Sequence, residues 1–288
     1  FGMAIMASRT IERERRYALD ALPADLSADW QPIQWQIFNE NAERRARASA
    51  SALIRRRGLW MLVFGAVHGV FFAGDIIGTY GLVAVLFAEV VVVKRVWPRV
   101  LVGLLFAALS LLGLWSLGMM LGGTPMVLEY RGPSTLTVFY PLVSLGSWLG
   151  ATIGTVLMSL VVPCVMIGVG VARWGVLQDP RGHRLILACV AAGGLGLGVL
   201  GGLPFVLLQL DWAFEGSAVW SYPLFHASGV LGACGWLALL ALVGGGPREK
   251  LGTVCSFLSA IGRRSMTAYL AQTVLFISIF SVLGACGV

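Results

Sequence analysis

The sequence predicts an all-α fold, a polytopic transmembrane helix bundle of about seven spans plus the stub of another, on three observations. Of its 288 residues, 58% are hydrophobic and only 12% are charged, whereas a soluble domain carries about 25% charge. The apolar residues fall in blocks of the ~20 residues that a bilayer requires, not in the ~10-residue alternating strands of a membrane β-barrel. The 37 glycines, interleaved with Ala, Val and Leu, match membrane helices whose backbones approach closely through small residues. An ordinary water-soluble enzyme and a disordered chain, which needs low hydrophobicity, are excluded on the same grounds.

Apolar runs lie near 58–73, 76–93, 100–122, 140–172, 185–210, 217–243 and 265–286. Residues 1–8 read as the last turns of another helix. The 58–73 run is short for a span, so 58–93 is predicted as two helices joined by a tight turn at Gly74-Asp75. The whole chain, 1–288, is predicted to be one transmembrane domain, in which 9–57 is the only sizeable polar segment. Within that segment Trp30, Ile33 and Ile37 recur at i, i+3 and i+7. The spacing predicts an amphipathic helix on the inner membrane surface, with a partner-binding helix as the alternative.

Basic residues prefer the cytoplasmic side of short loops. If 9–57 is inside, its ten arginines are joined by Lys94, Arg95 and Arg99, by Arg173, Arg181 and Arg184, and by Arg248, Lys250, Arg263 and Arg264. Twenty of the 21 basic residues then share one side and only Arg131 lies outside. The predicted location is therefore a bacterial cytoplasmic (inner) membrane, with the Arg-rich loops cytoplasmic and the lipid bilayer as the first partner. The net charge of +7 would point to nucleic acid in a soluble chain; here it follows from topology, and no nucleic-acid partner is predicted. Trp60, Trp97, Trp148, Trp174, Trp212 and Trp220 lie mostly at run ends, as an interfacial aromatic belt requires. None of the five cysteines forms a C-x-x-C pair, so apolar packing is predicted for them and no metal site.

The string Gly196-x-Gly198-x-x-Gly201 matches a dinucleotide fingerprint, but it lies inside an apolar helix and lacks the preceding strand. Gly194, Gly198 and Gly202 are spaced four apart, which reads as a helix-packing stripe. Ionisable groups within spans are expensive and mark cavities or partners. His68 and His226 both fall in outer halves of their runs, and each is either a hydrogen-bonded packing residue or a proton-transfer group. Asp75 is either a helix cap or a functional carboxylate. It follows His68 by seven residues, a rise of about 10.5 Å, so in a regular helix the two share a face without touching. Glu89 is predicted to reach Arg57, Lys94 or Arg95 at the inner interface.

Three stretches together carry a resemblance: Arg55–Leu82 (RRRGLWMLVFGAVHGVFFAGDIIGTYGL), Ile167–Leu177 (IGVGVARWGVL) and Gly262–Thr273 (GRRSMTAYLAQT). They resemble the YeiB-like bacterial membrane proteins (domain of unknown function 418), whose pattern has an arginine-led helix ending in G-x-x-H, then G-D-I-L and a tyrosine, and later G-R-x-A-L-T-x-Y-L-x-Q-S. Ser265, Met266 and Thr273 stand where that pattern has Ala, Leu and Ser. Because the family pattern begins with an L-D-x-x-R-G helix and continues past Val288, the resemblance implies that this chain is the core of a longer protein.

The family's helix pattern is similar to that of membrane acyltransferases, which move an acyl group from cytosolic acyl-CoA to an extracytoplasmic glycan or lipid. By that analogy, His68 is the catalytic residue that deprotonates an acceptor hydroxyl or relays the acyl group, and Asp75 or Asp211 orients it. Arg263 and Arg264, ahead of the helix that begins at Ser265, hold the CoA phosphates, and Thr267, Tyr269 and Gln272 line the acyl-CoA channel or join neighbouring helices. Plain positive-inside anchoring is the competing reading of the two arginines. Acyl-CoA is implied as a donor substrate, with no tightly bound cofactor. The alternatives are a small-solute or lipid transporter and a non-catalytic subunit with an envelope-complex partner.

Overall fold

The computed structural model describes residues 1–22, 30–71, 74–121, 139–210, 212, 217–244 and 252–285. Among these residues the regular structure is entirely α-helical, as the hydropathy pattern predicts. In chain order the helices are α1 Gly2–Asp20, α2 Pro32–Phe71, α3 Ile77–Val92, α4 Trp97–Leu121, α5 Tyr140–Met158, α6 Val161–Trp174, α7 Arg184–Gln209, α8 Ala218–Gly244, α9 Thr253–Arg263 and α10 Ser265–Ala285.

Four segments are long and apolar enough to cross a membrane: Trp97–Met120, Tyr140–Met158, Arg184–Gln209 and Val219–Gly244. Their outer faces carry bare leucine and valine, such as Leu101, Leu104, Val199, Leu200 and Leu240. Exposed apolar surface this extensive is what a lipid-facing bundle presents, since lipid tails cover it without cost. The chain is a membrane-embedded, multi-pass helical protein.

At the centre of the bundle lies α3, apolar on every side and buried along most of its length. Ala84, Ala88, Val91 and Val92 of α3 pack with Ala4 and Ala7 of α1, Ala50 and Ile54 of α2 and Val169 of α6. On its other side Val83 meets Val156, Val162 and Met166 from α5 and α6. Arginines meet the carbonyls at and just beyond its C-terminal end. Arg173 donates to Val91 O at 2.7 Å and to Lys94 O at 3.3 Å, and Arg99 donates to Val93 O at 2.6 Å. These cations complete the orphan carbonyls of a helix end and favour its negative pole.

Three boundaries differ from the sequence reading, each for a local reason. The apolar start of the chain and the polar residues after it form one helix, α1, up to Asp20. The segment around Ile33 and Ile37 runs without a break into the next apolar run, ending at Phe71, as the 40-residue α2; between Gln34 and Arg57 there is neither Gly nor Pro to stop it. The 140–172 run is two helices. Pro163 has no N–H to give to the carbonyl four residues back, which is that of Ser159. That carbonyl instead accepts the Ser110 hydroxyl of α4 at 2.7 Å, and the Ser159 hydroxyl accepts the Val161 N–H at 3.3 Å. α6 then ends at Gly175, whose φ of 77° is a left-handed helix cap.

α7 and α8 are joined through glycine. A Cβ on Gly194 would lie 2.6 Å from Leu231 O, and one on Gly198 would lie 2.9 Å from Gly232 Cα. Gly201 faces Ser228, whereas Gly202 has more room than the four-residue stripe predicts. Gly198 and Gly201 of the G-x-G-x-x-G string are thus packing positions, whereas Gly196 faces open space.

Candidate functional site

α2 ends at Phe71, and the chain turns back through Gly74, Asp75 and Ile76 to enter α3 at Ile77. The turn predicted at Gly74-Asp75 is present, but it overturns the expectation that His68 and Asp75 cannot touch. That expectation assumed a regular helix through both. The reversal instead folds Asp75 back onto the last turn of α2, and His68 Nδ1 lies 2.7 Å from Asp75 Oδ1. The pair is buried, with 6% of the His68 side chain and none of the Asp75 side chain exposed.

Asp75 takes the helix-cap reading that its sequence context offered. Its Oδ2 accepts the Gly78 N–H at 2.8 Å, capping the first turn of α3, and also accepts the Trp148 indole N–H at 3.2 Å. Two N–H groups and the positive end of α3 suit a carboxylate there. As an acceptor-only carboxylate, Asp75 takes its bond to His68 from the Nδ1–H, which leaves Nε2 as the acceptor of the neutral ring.

His68 Nε2 is 2.9 Å from Thr273 Oγ1 of α10. Thr273 also lies 3.4 Å from Tyr269 O, one turn earlier, and the Tyr269 ring packs against the imidazole at a centroid distance of 5.3 Å. The result is a continuous chain, Asp75–His68–Thr273, with carboxylate, imidazole and hydroxyl in the order of a nucleophile-activating triad.

Small residues make the room. A Cβ on Gly65 would lie 2.6 Å from Gly78 N and 2.8 Å from Asp75 Oδ2, and Gly69 and Gly78 both abut the Trp148 ring. Ser144 of α5, one turn before Trp148, donates to Gly69 O at 2.7 Å, meeting one of the carbonyls that the end of α2 leaves open. Helices α2, α3, α5 and α10 therefore each supply a named contact.

Trp148 departs from its predicted place. At 5% exposure it is not part of an aromatic belt but the clamp on Asp75, whereas Trp60, Trp97, Trp174, Trp212 and Trp220 are exposed. Of the other predicted site residues, Tyr269 is in the site. Thr267 and Gln272 are exposed on α10, and Arg263 and Arg264 are exposed at the α9–α10 junction. Asp211 lies outside the described residues. His226 takes its packing reading: its Nδ1–H donates to Tyr222 O at 2.9 Å, within its own helix. Glu89 pairs with Arg55 at 3.1 Å and accepts the Ser51 hydroxyl at 2.7 Å, rather than reaching the predicted Arg57, Lys94 or Arg95.

The sequence reading missed Thr273 and Trp148 as site members. Thr273 closes the third motif and sits four residues after Tyr269, on the same helix face, which was the available signal. Residues 171–286 match the family described as Protein of unknown function (DUF418). Over that stretch, less than half of its length, the chain is similar to that family. The match includes Gly262–Thr273 and so supports the resemblance drawn from that motif, while His68, Asp75 and Trp148 lie before it. The site thus joins matched and unmatched parts of the chain. No curated protein and no solved structure matches the chain.

Proposed function

We propose that this membrane protein is an acyltransferase that moves an acyl group from cytosolic acyl-CoA to the hydroxyl of an extracytoplasmic glycan or lipid. The observation that carries the reading is the buried Asp75–His68–Thr273 chain. Acyl transfer to a hydroxyl needs a base to take its proton, within hydrogen-bond reach and held in one tautomer. His68 Nε2 is such a base. Asp75 fixes the ring through Nδ1, and Gly78 and Trp148 fix Asp75. Burial lowers the local dielectric, which strengthens these interactions and keeps water from competing with the acceptor.

The donor side follows from charge. Arg263 and Arg264 stand exposed just before α10, where two guanidinium groups and a helix N-terminus suit phosphates. Tyr269 and Thr273 lie one and two turns further along the same helix, so the path from those arginines leads to His68.

The test is acyl-CoA binding and turnover by the purified full chain in detergent, beside His68→Ala and the double variant Arg263→Ala/Arg264→Ala. Binding weakened in the arginine variant, with turnover lost but binding kept in the histidine variant, is the expected result. Absence of acetyl-CoA and longer acyl-CoA binding by every form contradicts the proposal and favours transport of a small solute or lipid.

A further inference from the structure

We propose that Thr273 is the nucleophile of this site and carries the acyl group, as an ester on Oγ1, between donor and acceptor; the proposal rests on the acyl-transfer reading above. The geometry is that of nucleophile, base and orienting group in contact. Thr273 Oγ1 lies 2.9 Å from His68 Nε2, and His68 Nδ1 lies 2.7 Å from Asp75. A threonine in a membrane helix ordinarily gives its hydroxyl to the carbonyl four residues back. Here that contact, to Tyr269 O, is 3.4 Å and the longer of the two. The shorter contact joins the hydroxyl to the imidazole, and the acceptor lone pair on Nε2 is where its proton goes.

Helix α10 acts as a ruler. Nine residues separate Arg264 from Thr273, a rise of about 13.5 Å at 1.5 Å per residue. An extended pantetheine arm spans that distance when the CoA phosphates sit at Arg263 and Arg264, bringing the thioester to the threonine. Half-buried in α10, Thr273 is recessed from the charged end of its helix. An ester there lets the donor leave on one side before an acceptor arrives from the other.

Both steps balance without an added reactant. In the first, Thr273 Oγ1 attacks the thioester carbonyl carbon, the C–O bond forms, and His68 Nε2 takes the hydroxyl proton. The C–S bond then breaks and the proton passes to the departing thiolate, giving free CoA. In the second, the acceptor hydroxyl attacks the threonine ester and gives its proton to His68. That proton returns to Thr273 Oγ1 as its bond to the acyl carbon breaks.

Trapping of the ester tests the proposal. Purified full chain is incubated with acetyl-CoA without acceptor, quenched in acid and analysed by peptide mass spectrometry. The expected result is one acetyl group on the peptide containing Thr273, removed by hydroxylamine. Thr273→Ser keeps the adduct. Thr273→Val loses it and slows turnover at least ~100-fold, while binding acetyl-CoA within about threefold of the parent affinity. Turnover without a trapped ester, an adduct on another residue, or Thr273→Val turning over at the parent rate overturns the nucleophile while leaving acyl transfer standing. Failure of every form to bind or turn over acyl-CoA overturns both.

Discussion

Asp75 is held by three groups at once, and the arrangement makes distinguishable predictions. Asp75→Asn keeps the shape but presents an amide that competes for the wrong imidazole tautomer; turnover falls by up to ~10⁴, with acyl-CoA affinity unchanged. Trp148→Phe keeps most of the ring and removes one hydrogen bond to a buried carboxylate, a loss of about 1.5–3 kcal/mol. It is expected to slow turnover by roughly tenfold or more without lowering acyl-CoA affinity. Gly69→Ala drives a methyl into Trp148 and costs about 1–3 kcal/mol of stability by overpacking, so melting temperature and turnover drop together. His68 and Asp75 were legible in the sequence as ionisable groups in or beside membrane spans. Their contact was not, because it depends on where α2 stops, and residues that end a helix at a reversal look the same in sequence as residues inside one. Thr273 lies 205 positions from His68, and neither composition nor periodicity measures that separation in space. Trp148 is grouped with the interfacial tryptophans in sequence although it lies eight residues into its run.

At the scale of elements, the glycines of α7 divide into those that face α8 and those that do not. Gly198→Ala places a methyl 2.9 Å from Gly232 Cα, whereas a methyl on Gly196 meets nothing within 4 Å. Thermal unfolding in detergent should show Gly198→Ala destabilised and Gly196→Ala unchanged or raised, since alanine favours helix over glycine by about 1 kcal/mol. The reverse order would contradict the packing reading of the G-x-G-x-x-G string. Polar contacts tie α2 to the α3–α4 connection as well. Lys94, in a hydrogen bond to Glu43, with Arg47 at 2.7 Å, holds the Glu43 carboxyl below its ordinary value of 4.5. A lowered carboxylate pKa contributes stability that is fully present above the unfolded value and fades as pH falls through the folded one. Glu43→Gln should therefore lose stability above about pH 4.5 and match the parent well below it. Helix order and most helix limits could be read from apolar run length alone, whereas four of the helices are long and apolar enough to cross a membrane. The break at Ser159–Leu160 was readable only as Pro163. α9 was not anticipated, although Val254, Phe257, Leu258 and Ile261, all exposed, follow the i, i+3, i+4, i+7 spacing of an interfacial helix.

Across the whole molecule, an apolar exterior surrounds a polar chain of three side chains that no single helix supplies. Charge distribution predicts that the arginine-rich loops share one side, and the acyl-transfer proposal needs that side to hold the donor. In a cysteine-free background, a cysteine at Arg181 should react with an impermeant maleimide only after the membrane is opened, and one at Arg131 should react in intact cells. Labelling in the opposite sense would place Arg263 and Arg264 away from cytosolic CoA. The most direct test of the central claim is the rate of CoA release from acyl-CoA by purified parent protein, Asp75→Asn and His68→Ala at matched donor occupancy. Release by the parent that falls at least ~100-fold in both variants, with donor affinity retained, is the predicted result. Equal rates in all three proteins would contradict a catalytic role for the Asp75–His68–Thr273 chain.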